Sequence, residues 1–222
     1  MRRSFSSVSA YCLLPTAYCS LCLLLTGCNV LGAIAYKTIG PTKVPAEYEP
    51  PKTPMLVLAE SYGRANDLQP AADQLANLLV EELKAHNVAP MIEPAKLLSL
   101  RGDKAIGFDK MKIIDVGRAL GARQILYVDL EKCDVANPAG SELFQGKIAA
   151  KVKIVDVETG LTKWPAVGDS HPMHAETSYI RRENRDTPLS VRNQMIEDLA
   201  GAMGRLFYSY QPDYDTGKGE PE

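Results

Sequence analysis

Lys147-Ile148-Ala149-Ala150-Lys151-Val152-Lys153-Ile154-Val155-Asp156-Val157, followed by Glu158-Thr159-Gly160, is the clearest strand and turn in the chain. Successive side chains on a strand point to opposite faces. Ile148, Ala150, Val152 and Ile154 therefore share one face, and Lys147, Lys151 and Lys153 the other. Such alternation implies a sheet covered on one side and wetted on the other. Glu158-Thr159-Gly160 is turn chemistry, so Leu161 to Trp164 is expected to return as a hairpin partner. Further on, Pro165 to Asp186 carries few signals beyond one more edge strand near Ala175 to Ile180. Thr187-Pro188 then caps a last helix, in which Ile196, Leu199, Ala200, Met203 and Phe207 fall on one face. Residues 211–222 are expected to form a disordered tail.

Working back from the same strand, Gln124 to Leu130 is a second strand. Before it, Asp109 is a candidate N-cap for a helix with Ile113, Val116, Gly117 and Leu120 on one face. Gly121 closes that helix where a left-handed residue is wanted. Glu93 to Phe108, with Pro94, Gly102 and Gly107, is expected to be a loop. Val88 to Ile92 suggests a strand weakened by Pro90. Pro70 suits the first turn of a helix, where its missing N–H costs nothing. Ala72, Leu75, Ala76, Leu79 and Leu83 then form one apolar stripe. Met55-Leu56-Val57-Leu58-Ala59 is a short continuous apolar run, as in a strand buried on both faces. The expected order is β-α-β-α-β-β-(β)-α, an α/β (α+β) fold with three helices packed on a mixed sheet, in a single domain over 55–210.

The amino-terminal side is different in kind. Pro41, Pro45, Pro50, Pro51 and Pro54 fix φ and remove backbone donors, so 28–54 is expected to be a tether outside any sheet or helix. Before it, Ser4 to Tyr36 holds no charged side chain, and Arg2 and Arg3 stand directly in front. A short basic start followed by an apolar run is the layout of a secretory signal, expected over residues 1–27. An uncleaved transmembrane helix is the alternative, since the uncharged stretch is long enough to span a bilayer. Pro15 and Thr16 dilute it, however, and its densest part, Leu21 to Leu25, is short.

The 222 residues are 45% hydrophobic and 23% charged, too apolar for general disorder. Net charge is −2, and loss of Arg2 and Arg3 with a leader takes it to −4. The one tight basic group, Arg181, Arg182 and Arg185, is interleaved with Glu183 and Asp186. No nucleic-acid partner is expected from that balance. Cys12, Cys19, Cys22 and Cys28 lie in or at the end of the leader and Cys133 stands alone, so neither a disulfide framework nor a zinc spacing is present.

Leu25-Thr26-Gly27-Cys28 resembles the bacterial lipobox: an aliphatic residue, two small residues and a cysteine. The resemblance implies lipid attachment at Cys28, cleavage before it, a membrane partner through that lipid, and a place in the bacterial envelope with the domain facing the periplasm. The domain also resembles a group that includes the curli-secretion lipoprotein, the lipoproteins that activate penicillin-binding proteins, and the amino-terminal domain of the periplasmic Tol-system protein (TolB). Met55 to Ala59, the Leu-rich turn Leu78 to Leu83, the step Ala119-Leu120-Gly121-Ala122-Arg123-Gln124-Ile125-Leu126 and the turn Val155-Asp156-Val157-Glu158-Thr159-Gly160 with Trp164 carry that resemblance. It implies a binding or assembly role on another envelope protein. A pore does not fit: 93–108 and 131–144 are too short for lipid-facing strand pairs, and 165–187 is charged.

The residues offer little chemistry. His171-Pro172-Met173-His174, near Asp169, is the one paired histidine spacing. On a strand an i to i+3 pair points to opposite sides, and only a loop brings the rings together. Cys133 suits a nucleophile if a histidine stands beside it, and a buried small hydrophobe otherwise. Asp129 and Glu131, with Asp134 close by, suit acid–base work or simple solvation of a strand. Arg101-Gly102-Asp103 spells an adhesion tripeptide but reads first as a turn. No catalytic residue, cofactor or metal ligand is assigned. The expectation is a non-enzymatic binding or accessory lipoprotein. The alternative is an envelope hydrolase or metal-dependent enzyme using the 165–186 loop.

Overall fold

The computed structural model describes residues 43–61, 68–104, 107–137, 143–177, 179–181 and 188–212. The chain divides into two units, residues 1–44 and 45–222; only Lys43 and Val44 of the first are described, and the sheet and its helices belong to the second. The leader, Cys28, the first part of the expected tether and residues 213–222 lie outside the described residues.

The fold is α+β. The described elements are β1 (Met55–Glu60), α1 (Gln69–Ala85), α2 (Pro94–Asp103), α3 (Ile113–Ala119), β2 (Gln124–Ala136), β3 (Leu143–Asp156), β4 (Thr162–Trp164), β5 (His171–Glu176), β6 (Ile180–Arg181) and α4 (Pro188–Arg205). β1 runs parallel to β2, with Met55 opposite Gln124 and Glu60 opposite Asp129. β2 and β3 are long antiparallel partners, with a register shift between Leu130 and Lys132. The far edge of β3 is filled in turn by β4 at Ile154–Val155, β5 along Lys147 to Val152, and β6 at Leu143–Phe144.

Two apolar layers hold the sheet. On one face Met55, Val57 and Ala59, together with Ile148, Ala150, Val152 and Ile154, pack under α1 and α4. The stripes expected from the 3.6-residue period are the buried ones: Ala72, Leu75, Ala76, Leu79 and Leu83 on α1, and Ile196, Leu199, Ala200, Met203 and Phe207 on α4 with its following turn. On the other face Leu56, Leu58, Ile125 and Val157 meet Leu97, Phe108 and Val116 from the α2–α3 side. β1 is thus buried on both faces, while the outer half of β3 keeps Lys147, Lys151 and Lys153 toward water.

Several expectations need correction. Residues 94–103 form a helix rather than a loop: Pro94 takes the first turn and Leu97 enters the second core. There are accordingly four α-helices among the described residues, not three. The suggested strand at 88–92 shrinks to one parallel bridge, Met55 to Met91, because Pro90 has no N–H to extend a ladder. Asp109 does not cap α3. It lies in a short turn of 3-10 helix at Phe108–Lys110, and Lys112 precedes the helix. The edge strand placed at 175–180 starts earlier, at His171, and is interrupted before Ile180.

Residues 45–54 lie on the domain as a strap. Glu47 and Tyr48 donate their N–H groups to Leu206 O at 2.9 and 3.1 Å. Lys52 Nζ donates to the carbonyls of Asn87 and Val88. Gln124, only 4% exposed, donates Nε2 to Pro51 O at 2.8 Å and Thr53 O at 3.1 Å. The prolines cannot donate, so at Pro51, Thr53 and Pro54 the domain reads the segment through its carbonyl oxygens. No helix among the described residues is long and apolar enough to cross a membrane.

Candidate functional site

Three places gather chemistry-bearing side chains: the outer half of the sheet, the end of β1, and a shallow cleft beneath the strap.

On the outer sheet, β5 decides the histidine pair. His171 stands opposite Val152, a fully buried core residue, and His174 stands opposite Ala149. Residues paired across a ladder share a face, so the two rings lie on opposite faces of the sheet. His171 lies beside Trp164, ring centroids 5.1 Å apart, and His174 is exposed. Asp169, in the preceding loop, is exposed too. Among the described residues no three of His, Cys, Asp and Glu are grouped as metal ligands.

Cys133 stands opposite Ile148 on the core face and is 1% exposed. Burial raises its thiol above the ordinary range; Arg192 counters this and Asp134 adds to it. A thiol held protonated in an apolar core is a packing group rather than a nucleophile. The nearby carboxylates are occupied on the wet face. Glu131 meets Lys151 at 2.5 Å, and that hydrogen bond raises the lysine's pKa. Asp134 meets Lys132 at 3.8 Å. Paired with lysines in the open, they form a solvated face rather than an acid–base couple.

At the end of β1, Arg101 is not part of an adhesion loop. It sits in the last turn of α2, 19% exposed, with Nη1 2.6 Å from Asp73 and the guanidinium 5.3 Å from the centre of the Phe108 ring. Gln69 donates to the same Asp73 carboxylate at 2.9 Å. Arg101 therefore fastens α2 to the start of α1.

The cleft under the strap is lined by Glu49, Lys52, His86, Phe207, Tyr208 and Ser209, among others. Its volume is about 230 Å³, below the roughly 300–1,000 Å³ typical of small-molecule pockets. His86 and Tyr208 stack with centroids 3.6 Å apart and planes 7° from parallel. Tyr208 donates its hydroxyl to Glu82, which also lies 3.5 Å from His86 Nε2. Burial and then that carboxylate push the Tyr208 phenol well above its ordinary range. Gly204 makes this possible, because a Cβ there would stand 2.6 Å from Glu82 Cγ. Sequence reasoning passed over this cluster, whose one signal was Gly204 inside an otherwise unbroken helical stripe. A phenol locked to a carboxylate and covered by a stacked imidazole is a structural tie between α1 and the end of α4.

No family model matches the chain, and no curated protein matches it. Solved structures are similar at low identity. Lipoprotein GNA1162 from Neisseria meningitidis shares 10% identity with a TM-score of 0.46, over 68% of this chain and 97% of that one. The PelC dodecamer from Paraburkholderia phytofirmans shares 14% with a TM-score of 0.38, over 74% and 96%. A minor lipoprotein from Acinetobacter baumannii shares 11% with a TM-score of 0.38, over 69% and 91%. At such identities and scores none of these likenesses assigns this chain a role.

Proposed function

We propose that the chain is a bacterial envelope lipoprotein, anchored by lipid on Cys28, whose periplasm-facing domain is a non-enzymatic binding or assembly factor for another envelope component. The observation that carries this reading is Leu25-Thr26-Gly27-Cys28, placed at the end of the dense apolar run Leu21 to Leu25 in an uncharged stretch that begins just after Arg2 and Arg3. Position and sequence agree there: small residues let a peptidase approach the backbone, and a thiol follows to receive the lipid. More than one acyl chain makes such attachment durable, each buried CH₂ contributing about 0.8 kcal/mol.

The binding role is supported by how the candidate reactive groups are used. His171 and His174 are on opposite faces, Cys133 is buried, and Arg101 and Tyr208 are spent on packing. The strap adds a constraint on reach. With 45–54 bound to the domain, 16 residues, and so 17 Cα–Cα steps, separate Cys28 from Pro45. A fully extended chain spans at most about 3.5 Å per step, which holds the domain within ~60 Å of its anchor, so its partner is a membrane-proximal one.

Fractionating cells that carry the parent chain or Cys28→Ser tests the anchor. The parent is expected with the membranes and the variant in the soluble fraction; equal partition of both refutes it. Crosslinking and mass spectrometry of the tagged protein in its own cells tests the binding role. One reproducible envelope partner is expected, and none across repeats refutes it.

A further inference from the structure

The carboxyl-terminal segments that complete the sheet leave one edge without a partner strand among the described residues, and its chemistry is self-complementary. Among the described residues, β5 pairs with β3 alone, and no backbone hydrogen bond reaches His171–Glu176 from its other side. Thr177 donates its N–H to Gly146 O at 2.9 Å, continuing the register in which Glu176 faces Lys147. In an antiparallel ladder, alternate residues turn their backbone groups toward the partner. Thr177, Ala175, Met173 and His171 therefore face β3, and Glu176, His174 and Pro172 face outward. Pro172 sits where a proline is tolerated, with its missing N–H on the free side.

We infer that β5 pairs with β5 of a second copy of this chain, antiparallel and centred on Ala175. Isologous contacts require a patch that fits itself under a two-fold axis. Of the registers open to this edge, the one centred on Ala175 puts His174 opposite Glu176 of the partner subunit and Glu176 opposite the partner's His174. Both of these positions have outward N–H and C=O groups, so the pair of strands gains four backbone hydrogen bonds. The register centred on His174 spends Pro172, which lacks a donor, against the partner's Glu176. The register centred on Glu176 sets two carboxylates face to face, which is unfavourable across a ladder. Charge and proline placement thus select the same alignment. Glu176 already meets Lys147 at 2.9 Å, so each junction becomes a row of lysine, carboxylate and imidazole along the wet face. The half-buried Met173 and Ala175 on the core face gain cover from the added strand. This inference is independent of the lipid anchor and of the binding role.

Ala175→Cys in the full chain tests it. At a non-hydrogen-bonded antiparallel pair the Cα atoms lie about 4.5 Å apart, within the reach of a disulfide. A disulfide-linked dimer is expected on mild oxidation, with the parent chain and Val167→Cys, on an 89% exposed loop residue, as controls. An Ala175→Cys chain whose new thiol stays reduced, or crosslinking no greater than that of Val167→Cys, overturns the inference. Sedimentation of His174→Glu is the second measurement. Self-association is expected to weaken by at least about tenfold as four carboxylates meet, whereas a parent chain that sediments as a monomer at every concentration, or a variant equal to a dimeric parent, overturns the register.

Discussion

Gly146 lies beneath α4, where an added Cβ would stand 2.7 Å from Met195 Cε and 3.3 Å from Val191 Cγ1. Met195 is itself fully buried, so Gly146→Ala overpacks a filled site and is expected to cost about 1–3 kcal/mol in urea unfolding. Asp156 works differently. Its carboxylate accepts from Thr159 N–H at 2.8 Å and Thr159 Oγ1 at 2.9 Å, with Lys163 at 3.8 Å. Those bonds hold its pKa below the ordinary range, the backbone N–H of Thr159 most of all. A depressed folded-state pKa contributes stability that is complete above the unfolded value of about 3.9 and lost as pH falls through the folded one. The stability difference between the parent and Asp156→Ala is therefore expected to be constant near neutrality and to shrink below about pH 4. Cys133 is expected to react with a thiol reagent only slowly until the protein is unfolded, as judged by rates with and without urea. The Asp156 turn was legible in the sequence because Glu158-Thr159-Gly160 is local chemistry, and Gly160 has φ +74°. The contact at Gly146 was not, since nothing near it in the chain says which helix will lie across it.

Among the elements, β1, β3, α1 and α4 were legible because each imposes a period on many side chains at once. Failure came where an element is short or its stripe thin. On α2 Leu97 is buried while Leu98 is 54% exposed, so no regular face marks the helix, and Pro94 was read as a breaker instead of a first-turn residue. On β5 a proline and two histidines conceal the strand, although a proline with its free side outward is what an edge permits. The strap escaped notice because most of its ties are backbone N–H and C=O groups, which every sequence has. Gln124→Leu removes both side-chain bonds to that strap; Thr53 O loses its side-chain donor, while Pro51 O keeps the N–H of Thr53. A cost of about 1–3 kcal/mol is expected, and proteolysis within 45–54 should become faster. If cleavage there is unchanged, the strap does not depend on Gln124. Arg101→Lys keeps the charge but loses the planar fork between Asp73 and Ala59 O, with a loss of roughly 1 kcal/mol expected for this partly exposed group.

At the scale of the molecule, residues 45–222 make one α+β unit whose inner sheet is buried on both faces and whose outer sheet is wet on one. The sequence pattern anticipated an α+β fold, but the stretches that carry the resemblance to envelope lipoproteins, Met55 to Ala59, Leu78 to Leu83, Ala119 to Leu126 and the Asp156 turn with Trp164 among them, are structural and name no partner. On the function proposed here, what ties this domain to a membrane is the short segment Leu25-Thr26-Gly27-Cys28. The most direct measurement is the mass of the amino-terminal peptide of the protein purified from its own cells. The account predicts a chain that begins at Cys28 and carries diacylglycerol on its thiol. A peptide that retains Met1, or an unmodified cysteine at position 28, contradicts it.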